Sequence, residues 1–200
     1  KESERLIRSQ KYVHEVSFHV IAAGVKSDSV DIFIRELDKW SIIPAGSVST
    51  SNIRVDLTDR NFLGSGHEFQ NAFARNFTKG INFFNTNYSI PNIRNTYIST
   101  NLHLVSDGYK NFTRSLSVDR PFYSPVTKWA AGAFVTSQFK KDTLTVINSD
   151  DIPIDLKFSI QDYWAGKAHQ IFKGNKEDEF ITNLILTVRY LRTRYSEKPS

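Results

Sequence analysis

From Trp40 onward the chain repeats one pattern, apolar side chains at every second position in short runs broken by turn residues. Ile53, Val55 and Leu57 form one run, Phe69, Phe73 and Phe77 another, and Ile98, Thr100, Leu102 and Leu104 a third. Phe112, Leu116 and Val118 follow, then Trp129, Ala131, Ala133 and Val135, then Ile154, Leu156, Phe158 and Ile160, and last Leu184, Leu186, Val188 and Tyr190. A period of two puts such side chains on one face of a strand. With Trp40–Thr50, Phe84–Ile90 and Tyr163–Phe172 added, the pattern predicts about nine strands. No 3.6-residue apolar stripe appears after Gln10, so a helical fold is excluded for most of the chain.

The beginning reads differently. Lys1–Gln10 is polar and compatible with the last turns of a helix. Tyr12, His14, Val16, Phe18 and Val20 then alternate with Val13, Glu15, Ser17 and His19, and Val30, Ile32 and Ile34 alternate with Asp31 and Arg35. Gly24–Ser29 lies between them as a turn. A helix end followed by a hairpin reads as the close of a small α+β unit. Two strands and half a helix do not fold alone. Together with a start at Lys1 that has neither Met nor a signal-like segment, this predicts an excerpt of a longer precursor.

The connections form two sets. Gly64-Ser65-Gly66, Ile90-Pro91-Asn92 and Arg120 to Pro125 read as tight turns; Phe77–Asn82, Ser106–Asn111 and Phe139–Pro153, with its Asn148-Ser149-Asp150-Asp151 tip, read as longer polar loops. Short turns on one side and long loops on the other match a membrane barrel, although a soluble up-and-down barrel remains open on the pattern alone. The mean hydropathy of −0.38 does not separate the two, because lumen-facing residues dilute lipid-facing ones. Aromatic residues make up 13% of the chain, which suits interfacial girdles and a soluble β-core alike. No apolar run is long enough for a membrane-spanning helix.

Little in the composition points to chemistry. Without Cys there is no disulfide scaffold and no thiolate nucleophile or ligand. His14, His19, His67, His103 and His169 show no metal-pair spacing, so no metal and no cofactor is expected. Gly64-Ser65-Gly66-His67 lacks the Lys and Ser/Thr of a phosphate loop and is no nucleophile elbow. Asp119-Arg120 and Asp150-Asp151 read as a solvated turn and loop tip rather than catalytic carboxylates. The net charge of +5 is too diffuse for a nucleic-acid partner. Arg189 alternates against Leu186, Val188 and Tyr190 and is expected to face a lumen. Arg192 and Arg194 fall on the Val188/Tyr190 face, beside anionic headgroups, with Lys198 just beyond.

Asp59-Arg60-Asn61-Phe62-Leu63-Gly64-Ser65-Gly66 resembles the turn after the second strand in the BamA-type surface-antigen family of outer-membrane barrels. Its two glycines permit positive φ, and Phe62-Leu63 suits a membrane interface. Further resemblances follow in that family's order. Tyr88 to Ile93, with Pro91, resembles the turn after the fourth strand. Val118 to Phe122, with Pro121, through Trp129 and Gly132, resembles the turn after the sixth. Asp162 to Gly166 resembles the eighth strand. Lys1–Leu37 resembles the closing helix and last two strands of a POTRA domain, the periplasmic module before such barrels. The family's Val-Arg-Gly-aromatic loop motif is absent, and in the family it belongs to strands later than those seen here.

The resemblance implies a mainly β architecture. Residues 1–38 would end a POTRA-like periplasmic domain, and residues 39–200 would form the first half of an antiparallel barrel in a Gram-negative outer membrane. It implies no enzymatic activity. It implies assembly or translocation of other outer-membrane proteins through a lateral seam. The partners would be outer-membrane lipid, unfolded outer-membrane proteins and accessory lipoproteins. The seam strand would present Ser41, Ile43, Ala45, Ser47 and Ser49 to substrate, with Pro44 and Gly46 weakening its pairing. Asn61, Phe62, Leu63, Gly64, Gly66, Pro91 and Pro121 would shape the turns. In that frame Ile154, Leu156, Phe158 and Ile160 are expected to face lipid, and Asp155, Lys157 and Ser159 the lumen. The alternatives are a barrel that anchors or exports a fused patatin-like or metallophosphoesterase hydrolase, and a soluble barrel binding a small apolar ligand.

Overall fold

The computed structural model describes residues 7–8, 11–23, 29–144, 152–172 and 182–197. Ile7 and Arg8 are helical. The rest of the expected Lys1–Gln10 helix, most of the Gly24–Ser29 turn, the Asn148–Asp151 tip and Lys198 lie outside the described residues. No described helix is long and apolar enough to cross a membrane.

β1 (Val13–Ala22) and β2 (Val30–Asp38) form an antiparallel hairpin that is a sheet of its own. A register shift between Val13 and Glu15 brings Val13 and Val16 to the buried side, while Val20, Ile32, Phe33 and Ile34 stay more than half exposed.

Nine strands in chain order make the second sheet: β3 (Ile42–Val48), β4 (Asn52–Phe62), β5 (His67–Asn76), β6 (Ile81–Ile90), β7 (Ser99–Ser106), β8 (Phe112–Arg120), β9 (Trp129–Leu144), β10 (Ile152–Phe172) and β11 (Thr182–Glu197). Every neighbouring pair is an antiparallel hairpin, and among the described residues β3 and β11 are the two unpaired edges. Tyr163–Phe172 is not a strand of its own. It continues Ile154–Ile160 within the 21-residue β10.

Cross-strand partners share a face, so the register sorts the whole sheet. One face carries Val55 and Leu57, then Phe69 and Phe73, then Leu102, Leu116, Val118 and Val135, and at the end Tyr163, Leu186, Val188 and Tyr190. The other carries Gln70, Asn87, His103, Ser115, Thr136 and Gln138. Residues of the second set, drawn from β5 to β9, line one cavity of about 480 Å³, so the polar face is the concave one. The large apolar side chains on the convex face are widely exposed, up to 78% at Val188. A water-soluble sheet buries its apolar face; this one curls around its polar face.

Two expectations are corrected. First, Ile160 pairs with Thr136 and Phe158 with Gln138, so Leu156, Phe158 and Ile160 share the concave parity, and Asp155, Lys157 and Ser159 the convex one, while the side chain of Ile154 lies outside the described part of the structure. The β9–β10 ladder runs without a bulge from Lys167 to Ile152. The apolar parity therefore switches along a single strand, between Ile160 and Tyr163. A crossing strand needs only about ten residues; β9 and the start of β10 run on past β8 at the end away from β1–β2, whereas the end of β10 and the start of β11 run on past β9 at the opposite end. Second, the loop asymmetry is not the expected one. Among the connections that are described throughout, those at the end near β1–β2 are 63–66, 91–98 and 121–128, and those at the far end are 49–51, 77–80 and 107–111, which are shorter; residues 145–151 of the Phe139–Pro153 loop lie outside the described residues. Turn residues alone do not reveal where flanking strands stop. Ile93 to Ile98 and Ser124 to Thr127 are closed by their own backbone hydrogen bonds and stay outside the ladder.

Candidate functional site

β3 forms one edge of the sheet, with β4 on one side and no described strand on the other. In an antiparallel ladder, alternate residues exchange hydrogen bonds with the partner strand, and those between them point their N–H and C=O groups the opposite way. The Arg60 N–H donates to the Ser41 carbonyl (2.9 Å) and the Ser49 N–H to the Asn52 carbonyl (2.8 Å). Ser41, Ile43, Ala45, Ser47 and Ser49 are thereby the residues bonded to β4. Ile42, Pro44, Gly46 and Val48 turn their backbone groups to the open edge. The five residues expected to engage an incoming strand instead hold β3 in the sheet, and the even-numbered set supplies the edge.

Pro44 thus sits where its missing N–H costs the sheet no bond. Gly46 is required by close approach, since a Cβ there would lie 3.0 Å from the Arg54 carbonyl oxygen. The side chains of Ile43, Ala45 and Ser47 fall on the concave face opposite Thr58, Asp56 and Arg54. Arg54 grips Asp56 with Nε–Oδ2 and Nη2–Oδ1 bonds of 2.7 and 2.8 Å.

The turn motifs converge at the other part of the site. In the glycine turn, Asn61 Oδ1 accepts from the Gly66 N–H (2.7 Å), and Gly64 and Ser65 donate to the carbonyls of Asn61 and Phe62. Gly64 and Gly66 hold φ of 71° and 73°, as expected of the motif, and Leu63 also adopts a positive φ, 54°. Phe62 packs on Phe69 and Tyr88, and Leu63 is 86% exposed. Gly66, Pro91 and Pro121, far apart in sequence, line one cavity of about 840 Å³ with Lys11, Tyr12 and Tyr97. Lys11 forms an ion pair with Glu68, which is almost wholly buried, and Gln70 donates to the same carboxylate (2.7 Å). The N-terminal hairpin is tied to the mouth of the concave face in this way. Tyr97 stacks on Tyr123 at 3.7 Å, joining two turns. None of these contacts has a sequence signal, since Lys11 and Glu68 are 57 residues apart.

The concave wall is a hydrogen-bonded polar surface. Asn101 donates to Asn87 (2.8 Å), and His103 meets Asn85 at 3.1 Å. Arg189 faces inward, as its alternation predicted, and bonds Asp162 through Nε–Oδ1 at 2.8 Å. Trp164 is hydrogen-bonded to Asp119 across Gly132. His67 is engaged with the Tyr88 hydroxyl at 2.6 Å. Among the described residues, no three His, Cys, Asp or Glu side chains are grouped to hold a metal ion.

No family model matches the chain, and no curated protein matches it. Among solved structures, 26 chains match. One is the crystal structure of BamA from Haemophilus ducreyi lacking POTRA domains 1-3, which is 12% identical with a TM-score of 0.41 over 97% of this chain and 49% of that one. The chain thus spans about half the length of that structure.

Proposed function

We propose that the chain is part of the wall of an outer-membrane β-barrel that inserts or translocates other outer-membrane proteins through a seam at β3. The observation that carries this reading is the pairing of an apolar convex face and a polar concave face with an open edge at β3. A closed barrel of this polarity suits lipid outside and water within. An open edge offers backbone donors and acceptors to an incoming strand. In this reading residues 1–38 end a POTRA-like periplasmic domain, the turns 63–66, 91–98 and 121–128 lie on the periplasmic side, and accessory lipoproteins dock there. The partners in the membrane are lipid and unfolded outer-membrane proteins, and we assign the chain no enzymatic chemistry of its own. A small-ligand carrier would need its apolar face inside, so the face polarity favours the membrane barrel over a soluble one.

The test is site-specific photocrosslinking during outer-membrane protein assembly. A photoreactive residue at Ser47 or Val48 is expected to capture the incoming protein, and one at Ser115 or Leu116, inside the sheet, is not. Equal capture at all four positions, or none at β3, would overturn the seam and favour the role of anchor for a fused hydrolase.

A further inference from the structure

The convex face is apolar along much of its height, but cations cluster on β8 to β11 around one cross-strand row. Arg114 on β8 pairs with Ser137 on β9, Ser137 with Ser159 on β10, and Ser159 with Arg194 on β11. The four side chains share the convex face. On the side toward β1–β2 the next row is Leu116, Val135, Gln161 and Arg192, and the row after it, Val118, Ala133, Tyr163 and Tyr190, has no charge. On the far side Lys157 stands opposite Phe139, and Lys141 lies 3.5 Å from Asp155. The described cations of this patch are therefore Arg114, Lys141, Lys157, Arg192 and Arg194; Lys141 meets Asp155, Lys157 stands opposite Glu197 in the β10–β11 register, and the excess of positive charge is carried by Arg114, Arg192 and Arg194. Aromatic rings flank two of the cations: Arg114 sits 5.0 Å from the ring centre of Phe112, which is paired with Phe139 one row farther out, and Lys141 sits 5.9 Å from that of Phe139.

On a lipid-facing wall, cations are tolerated near headgroup depth, within the aromatic border, and an excess of them attracts anionic lipid. Strand spacing puts Arg114 and Arg194 roughly 14 Å apart, with the two serine hydroxyls between them. Such a row presents guanidinium forks at its ends and neutral hydroxyl donors at its centre, which suits phosphate oxygens.

We propose that the Arg114–Ser137–Ser159–Arg194 row, with Arg192 beside it, binds the phosphate groups of anionic lipid headgroups in the leaflet away from β1–β2. The proposal rests on the membrane reading given above. Its test is quantification of phospholipid retained by the protein after reconstitution into phosphatidylcholine vesicles with or without phosphatidic acid. The variant carries Arg114→Gln, Arg192→Gln and Arg194→Gln; the charge-matched control carries Arg35→Gln, Lys39→Gln and Arg94→Gln. The row variant is expected to insert normally into neutral vesicles and to lose about tenfold or more of the phosphatidic acid retained, in a salt-sensitive way. The control is expected to retain it. Equal loss in both variants, no loss in the row variant, or failure of that variant to insert into neutral vesicles would each overturn the site. Failure of the unaltered protein to enter any vesicle would overturn the membrane reading itself.

Discussion

Arg120 holds Trp129 in two ways at once: its Nη1 donates to the Trp129 carbonyl at 2.6 Å, and its guanidinium lies 3.9 Å from the indole centre. The same group donates through Nε to the Thr96 carbonyl at 3.2 Å. One planar fork thereby closes the 121–128 turn and ties it to the 91–98 turn. A lysine keeps the charge but not the fork. Arg120→Lys is expected to destabilise the folded sheet by about 1–2 kcal/mol. Urea titration of the fraction retaining folded mobility on a gel would show it, and an unchanged midpoint would mean that the turns stand without the clamp.

The two faces predict opposite sensitivities. Leu116→Arg on the convex face, one row inside the cationic row, is expected to cost about 1–2 kcal/mol, between the interface and midplane values, and Ser115→Arg, one residue along on the concave wall, far less. Leu156→Arg should resemble Ser115→Arg, because its parity is concave. Insertion yield into vesicles measures all three. A Leu156→Arg loss as large as that of Leu116→Arg would mean that the ladder is misregistered in β10.

Gly132 sits beneath a side-chain bridge. A Cβ at that position would fall 2.2 Å from Trp164 Nε1 and 2.5 Å from Asp119 Oδ1. Gly132→Ala is therefore expected to destabilise by about 1–3 kcal/mol through overpacking. Adding Trp164→Phe, which removes the N–H, should recover part of the loss. Equilibrium unfolding monitored by near-ultraviolet circular dichroism would separate the two variants.

Lys11 and Glu68 join the N-terminal hairpin to the sheet. Lys11→Glu places two carboxylates together and is expected to release β1 and β2 from the cavity mouth. Hydrogen exchange should then accelerate in Val13–Ala22 and at Tyr12 while β5 to β8 keep their protection. Uniform acceleration would instead show that the whole sheet depends on this contact.

Much of the fold was legible because most strands are short enough to keep one face to one environment. Leu102, Leu116 and Val188 take the face their alternation predicts, and Arg189 takes the opposite one. β10 defeats that logic: its apolar residues change parity while its backbone does not, and only the register to β9 reveals the change. The edge of β3 was half legible. Pro44 and Gly46 mark it, but which backbone groups point outward depends on how Ser41 and Ser49 pair with β4. The mouth cavity was illegible, being built from contacts between residues distant in sequence.

Pro44 has a consequence for self-association. Two copies of this chain meeting edge to edge through β3 would each bring a proline to the new ladder, so a homotypic pair forfeits the donor twice. A foreign strand without proline forfeits it once. Each absent bond is worth about 1 kcal/mol, which biases this edge against its own kind by roughly five- to tenfold while leaving it usable by others. A single imino acid, placed on the side of the strand that β4 does not use, makes the edge discriminate between itself and a guest.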